Sequence, residues 1–324
     1  MKKNLRVLYH DNCFDGLASA AVFSAFYGGK AVPGAEIEYE GLAHKAGQLI
    51  DEGVFGSDEN VIVDFKYSAS EKLTWWFDHH ESAFLSEADE SHFRRDESGR
   101  KFHDPAFKSC TKFIALVTKN KFGFEDRSLE ELIHWADIID GAQFPNAQFA
   151  VELKEPAMRL MTVIEATRDR NLLHRIIGLM QQKPLASLLD EPDIRSTFEG
   201  LYDNHLQSLD VMRTRAVCNN GVIEYDISDR SGEGQNKFIP YYLFPEAVYC
   251  VGVSLSPTRA KVSVGSNPWS RRERTENLAK LAEHYGGGGH AVVAAISFKP
   301  DALESARAAA REISDKLQAA IKKA

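Results

Sequence analysis

Apolar and mixed segments alternate along this chain at the spacings of strands and helices. "LRVLYH" (5–10), "NVIVDF" (60–65) and "TWWFDHH" (74–80) are short, almost unbroken apolar runs, the pattern of strands covered on both faces. "LASAAVFSAFYG" (17–28) and "LAHKAGQLIDEG" (42–53) read as helices between them, and "SCTKFIALVTKNKFG" (109–123) and "LEELIHWADIID" (129–140) continue as helices. Alternation of this kind predicts a parallel sheet flanked by helices.

From about 150 to 217 the pattern is almost wholly helical, broken by "QKPLASLLDEPD" (182–193). After "NNG" (219–221) the chain becomes strand-like in "VIEYDIS", "AVYCVGVSLS", "AKVSVGS" and "AVVAAISF", with hairpin chemistry at "SPTR" (256–259). The final segment is helical. Asp301 and Glu304 fit a capping box, and Leu303, Ala306, Ala310, Ile313, Leu317 and Ile321 line one face. The predicted organisation is α/β: an N-terminal parallel-sheet domain over 1–190, a helical connector over 191–217, and a smaller α/β domain with a mixed sheet over 218–324.

Composition narrows the setting. The chain has 324 residues, 44% hydrophobic and 27% charged, which predicts about two ordinary globular domains. A formal net charge of -8 argues against a generally basic surface for long nucleic acid, duplex included, though not against a small phosphorylated substrate. Cys13, Cys110, Cys218 and Cys250 lack CxxC spacing and predict neither a zinc knuckle nor a disulfide framework. With no export signal and no long apolar stretch, the reading is a cytoplasmic protein without a membrane span.

Chemistry collects where the first domain's strands end. His10 and Asp15 follow the first strand, Asp64 ends the second, and Asp78, His79 and His80 end the third. In an open parallel sheet the loops at the carboxyl ends of strands converge on one crevice. Carboxylates with imidazoles suit Mn²⁺, Mg²⁺ or Fe²⁺, and a shared carboxylate can hold two ions ~3.5–4 Å apart. So many like charges in one crevice would repel one another unless cations were present.

The motifs "HDNCFDG", "VDF", "DHH" (78–80), "WADIID" and "GGGGH" (286–290), spread over most of the chain, resemble those of the DHH–DHHA1 phosphoesterase family. The resemblance implies an N-terminal domain carrying two divalent ions, usually Mn²⁺, and a C-terminal domain whose glycine-rich loop helps to bind substrate across a cleft. It places His10 and Asp64 on one ion and Asp15, Asp64, His79 and Asp137 on the other, with Asp64 bridging. Asp78 would orient its neighbours, and His80 would face the scissile phosphate. Asp140 is the alternative fourth carboxylate, since residues at i and i+3 of a helix share a face. Gly286, Gly287, Gly288 and Gly289 would cradle an anion with their N–H groups while His290 donates to a phosphate oxygen.

Two departures stand out. The commoner pattern has two aspartates separated by one residue before the glycine, and here Cys13 holds the earlier place. Three substitutes are open: the Cys13 thiolate, Asp11, or water. Many C-terminal domains of the family also carry an arginine before the serine of a strand ending "RS", where this chain has Gly265. The nearby Arg271 and Arg272 could supply that cation, and Trp269 and Tyr285 are candidates for base stacking. The expected activity is two-metal hydrolysis of phosphodiester bonds in short oligonucleotides or small dinucleotides. Polyphosphate or pyrophosphate hydrolysis and phosphomonoester hydrolysis are the alternatives, and a metal-weakened nucleotide-binding regulator is the non-enzymatic one.

Overall fold

The computed structural model describes residues 3–43, 50–230 and 236–323, together with the backbone course of two compact units. One unit comprises residues 1–144 and 153–201, and the other 145–152 and 202–324.

The first unit contains β1 (Asn4–His10), α1 (Phe14–Phe26), β2 (Glu36–Leu42), β3 (Glu59–Val63), β4 (Trp75–Asp78), α2 (Glu87–Arg94), β5 (Lys101–His103), α3 (Cys110–Phe122) and α4 (Glu130–Asp140). Its five strands are all parallel in the order β2-β1-β3-β4-β5. Alternate residues feed two cores. Val7, Tyr9, Val61, Val63, Trp75 and Phe77 pack with α1 and α3, whereas Leu8, Ile62 and Trp76 pack with Phe55, Phe65, Tyr67 and Leu73 on the other face. Two-sided burial is why these strands read as unbroken apolar runs.

The predicted helix over 42–53 is corrected. Leu42 ends β2, Glu52–Val54 form a single 3-10 turn, and positions 44–49 lie outside the described residues. β2 itself escaped notice because "EIEYEGL" is an edge strand whose glutamates alternate with apolar positions, so it lacks the apolar run of its neighbours.

The helical stretch resolves into α5 (Ala147–Glu152), α6 (Pro156–Ala166), α7 (Arg170–Met180), α8 (Leu185–Leu188) and α9 (Pro192–Arg215). The short α5 packs in the second unit, where Ala147 and Val151 join Leu209, Met212, Ile223 and Tyr241.

The second unit continues with β6 (Val217–Asn219), β7 (Val222–Asp226), α10 (Ile239–Leu243), β8 (Tyr249–Leu255), β9 (Ala260–Ser266), α11 (Leu278–Glu283), β10 (Gly288–His290), β11 (Val293–Phe298) and α12 (Leu303–Lys323). Its sheet runs β10-β11-β9-β8-β7-β6 and is mixed: β7 and β8 are parallel and the other pairs antiparallel. Ala306, Ala310, Ile313 and Leu317 of α12 bury the predicted stripe against Val251, Val262 and Ile296. In place of a capping-box bond, Glu304 pairs with Arg307, and a 3-10 turn over Pro300–Ala302 leads into the helix.

Candidate metal centre

In a parallel sheet ordered 2-1-3-4-5, the chain reverses direction of travel between β1 and β3, and ligands lodge beyond the carboxyl ends of the strands at that point. His10 is the last residue of β1 and Asp64 the first after β3. Asp64 has φ of 56°, a left-handed conformation that aspartate tolerates better than most side chains. Its N–H donates to the Phe77 carbonyl at 3.0 Å, so the kink is tied to β4.

The Asp64 carboxylate, 1% exposed, faces two ways. Oδ2 lies 3.2 Å from His10 Nδ1, and Oδ1 lies 3.4 Å from His79 Nε2. His79 Nε2 is also 3.4 Å from Asp140 Oδ2 and 3.8 Å from Asp15 Oδ2. Ligand atoms of His10, Cys13 and Asp64 lie within 4.8 Å of one another, and so do those of Asp15, His79 and Asp140. Asp64, His79 and His80 form a third such group between them.

Supporting contacts fix each side chain. Asp15, in the first turn of α1, accepts the N–H groups of Cys110 (2.6 Å) and Thr111 (3.1 Å) at the start of α3, a favourable place for a carboxylate. His79 Nδ1 lies 3.1 Å from the Phe107 carbonyl, which can only accept, so Nδ1 carries a proton and Nε2 is the atom turned to the carboxylates. Asp78 Oδ1 accepts the backbone N–H groups of His79 and His80 and lies 2.7 Å from His80 Nδ1, leaving the far side of the half-exposed His80 ring open. His103, next to Asp78 on β5, adds a 2.9 Å bond from Nε2 to the His80 carbonyl.

The loop "DNCFDG" is held just as firmly. Asn12 takes a left-handed φ of 53° and donates to the Ile164 and Thr167 carbonyls at the end of α6. Gly16 lies against the His10 carbonyl so closely that a Cβ would collide with it.

Of the two carboxylates left open by the sequence, Asp140 is the one brought to His79. Asp137 Oδ2 instead pairs with Lys112 Nζ at 2.6 Å. Of the three substitutes open for the missing aspartate, Cys13 stands in the cluster. The Asp11 carboxylate lies against Gly41 and accepts the Asn12 N–H.

Without a cation the cluster is electrostatically uneasy. Burial and then the charges of Asp64 and Asp140 push the Asp15 carboxyl well above its usual range. Burial and the Asp64 charge raise Asp140 to about 6. Burial opposes charge on His79, but the Asp64 carboxylate beside it and the Asp15 charge outweigh it and raise this imidazole to about 10. Asp64 is also penalised by burial, yet the His10 and His79 imidazoles beside it hold it down at about 2. Burial, then Asp64 and Asp15, push the Cys13 thiol far up.

Divalent cations fit this donor set. Asp64 Oδ1 and His79 Nε2 are buried without a hydrogen-bond partner, and the separations of 3.2–3.8 Å between donors are near the ~3 Å spacing of neighbouring ligands around an octahedral ion.

The second unit's motif residues are placed differently. Gly288–His290 form β10, a hairpin arm on β11, and added Cβ atoms at Gly287 or Gly289 would strike the backbone of β11. His290 is exposed at the end of that arm. At Gly265 an added Cβ would meet the Tyr241 hydroxyl, so a larger residue here requires that ring to shift. Arg271 and Arg272 are exposed, Trp269 packs on Phe238, and Tyr285 donates to Glu312 at 2.7 Å.

Neither a family model nor a curated protein matches the sequence. Solved structures do match the fold. A pGpG-specific phosphodiesterase, PggH from Vibrio cholerae, superposes with a TM-score of 0.72 at 17% identity, over 98% of this chain and 100% of that one. RecJ from Thermus thermophilus in complex with Mn²⁺ gives 0.58 at 13% identity, over 97% of this chain and 52% of RecJ. A DHH domain from a protein described as a member of a ribosomal-protein family gives 0.55 at 13% identity, over 97% and 87%. The chain has the DHH–DHHA1 fold. In the DHH half of that fold the cluster above occupies the switch between β1 and β3, and the DHHA1-like half carries the glycine hairpin on a sheet edge. Among the described residues no helix is long and apolar enough to cross a membrane.

Proposed function

We propose that this protein is a divalent-metal-dependent phosphoesterase that hydrolyses phosphodiester bonds in short oligonucleotides or small dinucleotides. The observation that carries the reading is the two-faced Asp64 carboxylate, with His10 and Cys13 on one side and Asp15, His79 and Asp140 on the other. The fold shared with a pGpG-specific phosphodiesterase supports the substrate class. Four unpaired cysteines support a cytoplasmic location.

On this reading Asp64, Asp15, His79 and Asp140 would hold one divalent ion, and Asp64, His10 and Cys13 would hold a second. The chemistry two such ions supply is activation of a water for in-line attack at phosphorus and neutralisation of charge on its oxygens. Phe107 holds the His79 tautomer, and Asp78 holds the His80 ring so that its open edge can donate to a non-bridging phosphate oxygen. The exposed His290 beside the glycine arm offers a donor for a phosphate oxygen.

The test is purified protein with Mn²⁺ against pGpG, short RNA, a cyclic dinucleotide, pAp and polyphosphate, with Asp64→Asn as the control. Hydrolysis of pGpG or short RNA that vanishes in Asp64→Asn supports the assignment. Turnover confined to polyphosphate would move the protein to the pyrophosphatase-like alternative, and normal turnover by Asp64→Asn would remove the bridging role.

A further inference from the structure

We propose that the two halves of the centre are chemically unlike: His10, Cys13 and Asp64 form a softer site with the Cys13 sulfur as a thiolate ligand, beside a harder site of Asp15, His79 and Asp140, so the protein selects two different ions. This rests on the reading of the cluster as a metal centre.

Placement is the first argument. Sγ of Cys13 shares a 4.8 Å neighbourhood with ligand atoms of His10 and Asp64. Its position is fixed from three directions: the Cys13 carbonyl accepts the Leu17 N–H as α1 begins, Asn12 is bonded to the end of α6, and Gly16 rests on the His10 carbonyl. Asp11, the loop carboxylate weighed as a substitute for the sulfur, is turned to Gly41. The buried Asp64 carboxylate joins the two sites, with Oδ2 facing His10 on this side and Oδ1, without a hydrogen-bond partner, facing His79 on the other.

Donor chemistry is the second argument. A nitrogen, a sulfur and an oxygen on one side favour a borderline-soft divalent ion such as Zn²⁺ or Fe²⁺. The oxygen-rich partner site favours Mn²⁺ or Mg²⁺. Binding at the softer site breaks the Cys13 S–H bond, forms a metal–sulfur bond and releases the proton to solvent, with no change of oxidation state.

Cobalt(II) reads this directly, because a thiolate ligand gives a near-ultraviolet sulfur-to-cobalt charge-transfer band that oxygen and nitrogen ligands do not. The metal-stripped protein should develop that band on titration with Co²⁺. Cys13→Ser should bind Co²⁺ without the band and at least as much more weakly as the roughly 10–100-fold that loss of an outer-shell partner costs. Cys13→Asp should also lack the band and let Mn²⁺ compete for both sites. Co²⁺ binding by the parent without the band, or a band that persists in Cys13→Ser, overturns the proposal while leaving the phosphoesterase reading intact. Failure of the parent to bind Co²⁺ or Mn²⁺ at all would overturn both.

Discussion

Metal binding at this centre must expel protons, and their number follows from the charges packed around Asp64. In the metal-free protein the His79 imidazole, raised to about 10, carries a proton at neutral pH, while burial and Asp64 push the Asp15 carboxyl upward. Asp140, raised to about 6, has already lost its proton by pH 7.5. Ligation requires His79 neutral and, at the softer site, Cys13 as a thiolate, so loading the centre releases about one proton from the imidazole and about one from the thiol. Apparent affinity for Mn²⁺ should therefore rise by about ten- to a hundredfold per pH unit between pH 6.5 and 8.5.

Stability carries the same signature. The His79 shift is upward, so its contribution to the metal-free fold is fully present below 6.5 and is lost as pH climbs towards 10. One pKa unit is worth about 1.4 kcal/mol, which makes this loss about 3–5 kcal/mol. The Asp64 shift is downward, so its contribution is present above 3.8 and fades as pH falls towards 2. Calorimetric titration in two buffers of different ionisation enthalpy counts the protons, and thermal melts with and without Mn²⁺ across pH 6.5–9 follow the stability. Binding that releases no protons, together with a metal-induced stabilisation that does not grow with pH, would refute the electrostatic account.

Three further outcomes follow from the geometry. Asp140→Asn should weaken metal binding by about tenfold or more, whereas Asp137→Asn, whose parent carboxylate pairs with Lys112, should titrate like the parent protein; the reverse result would exchange their roles. Gly16→Ala, which forces a Cβ into the His10 carbonyl, should lower stability by about 1–3 kcal/mol in thermal melts and loosen metal binding with it. His80→Ala should reduce kcat by about 10²–10³-fold, while His290→Ala should alter both KM and kcat; unchanged kinetics in His290→Ala would leave the glycine arm a purely structural hairpin.

Much of the first unit could be read from sequence because β1, β3 and β4 are buried on both faces, and that burial writes itself as unbroken apolar runs. The residues ending those runs could be read for the same reason, since a histidine or aspartate closing a buried strand interrupts an otherwise uniform signal. Edge elements were hidden. β2 alternates glutamates with apolar residues, while β5, β6 and β10 are each three residues long, too short for any period to register. The glycine run was visible but ambiguous: the close backbone approach at Gly287 and Gly289 explains two of its members by hairpin packing, with no ligand invoked.

What sequence could not reach in the centre was the choice among equals. Asp137 and Asp140 lie three residues apart on one helix, with similar neighbours, and periodicity treats them alike. A lysine on another helix separates them: Lys112 on α3 captures Asp137 and leaves Asp140 for His79. The same holds for Cys13 and Asp11, two residues apart in one loop. Chemistry in isolation favours the carboxylate as a metal ligand, yet the backbone brings the thiol and not the carboxylate to His10, because Asn12 in its left-handed turn is bonded to the end of α6, with Asp11 against Gly41 on one side and Cys13 beside His10 on the other. Selection between neighbouring donors is thus made by contacts 25 to 155 residues distant in the chain, Lys112 to Asp137 and Asn12 to Thr167. A motif names the donors available to such a centre, and the packing around it determines which of them converge.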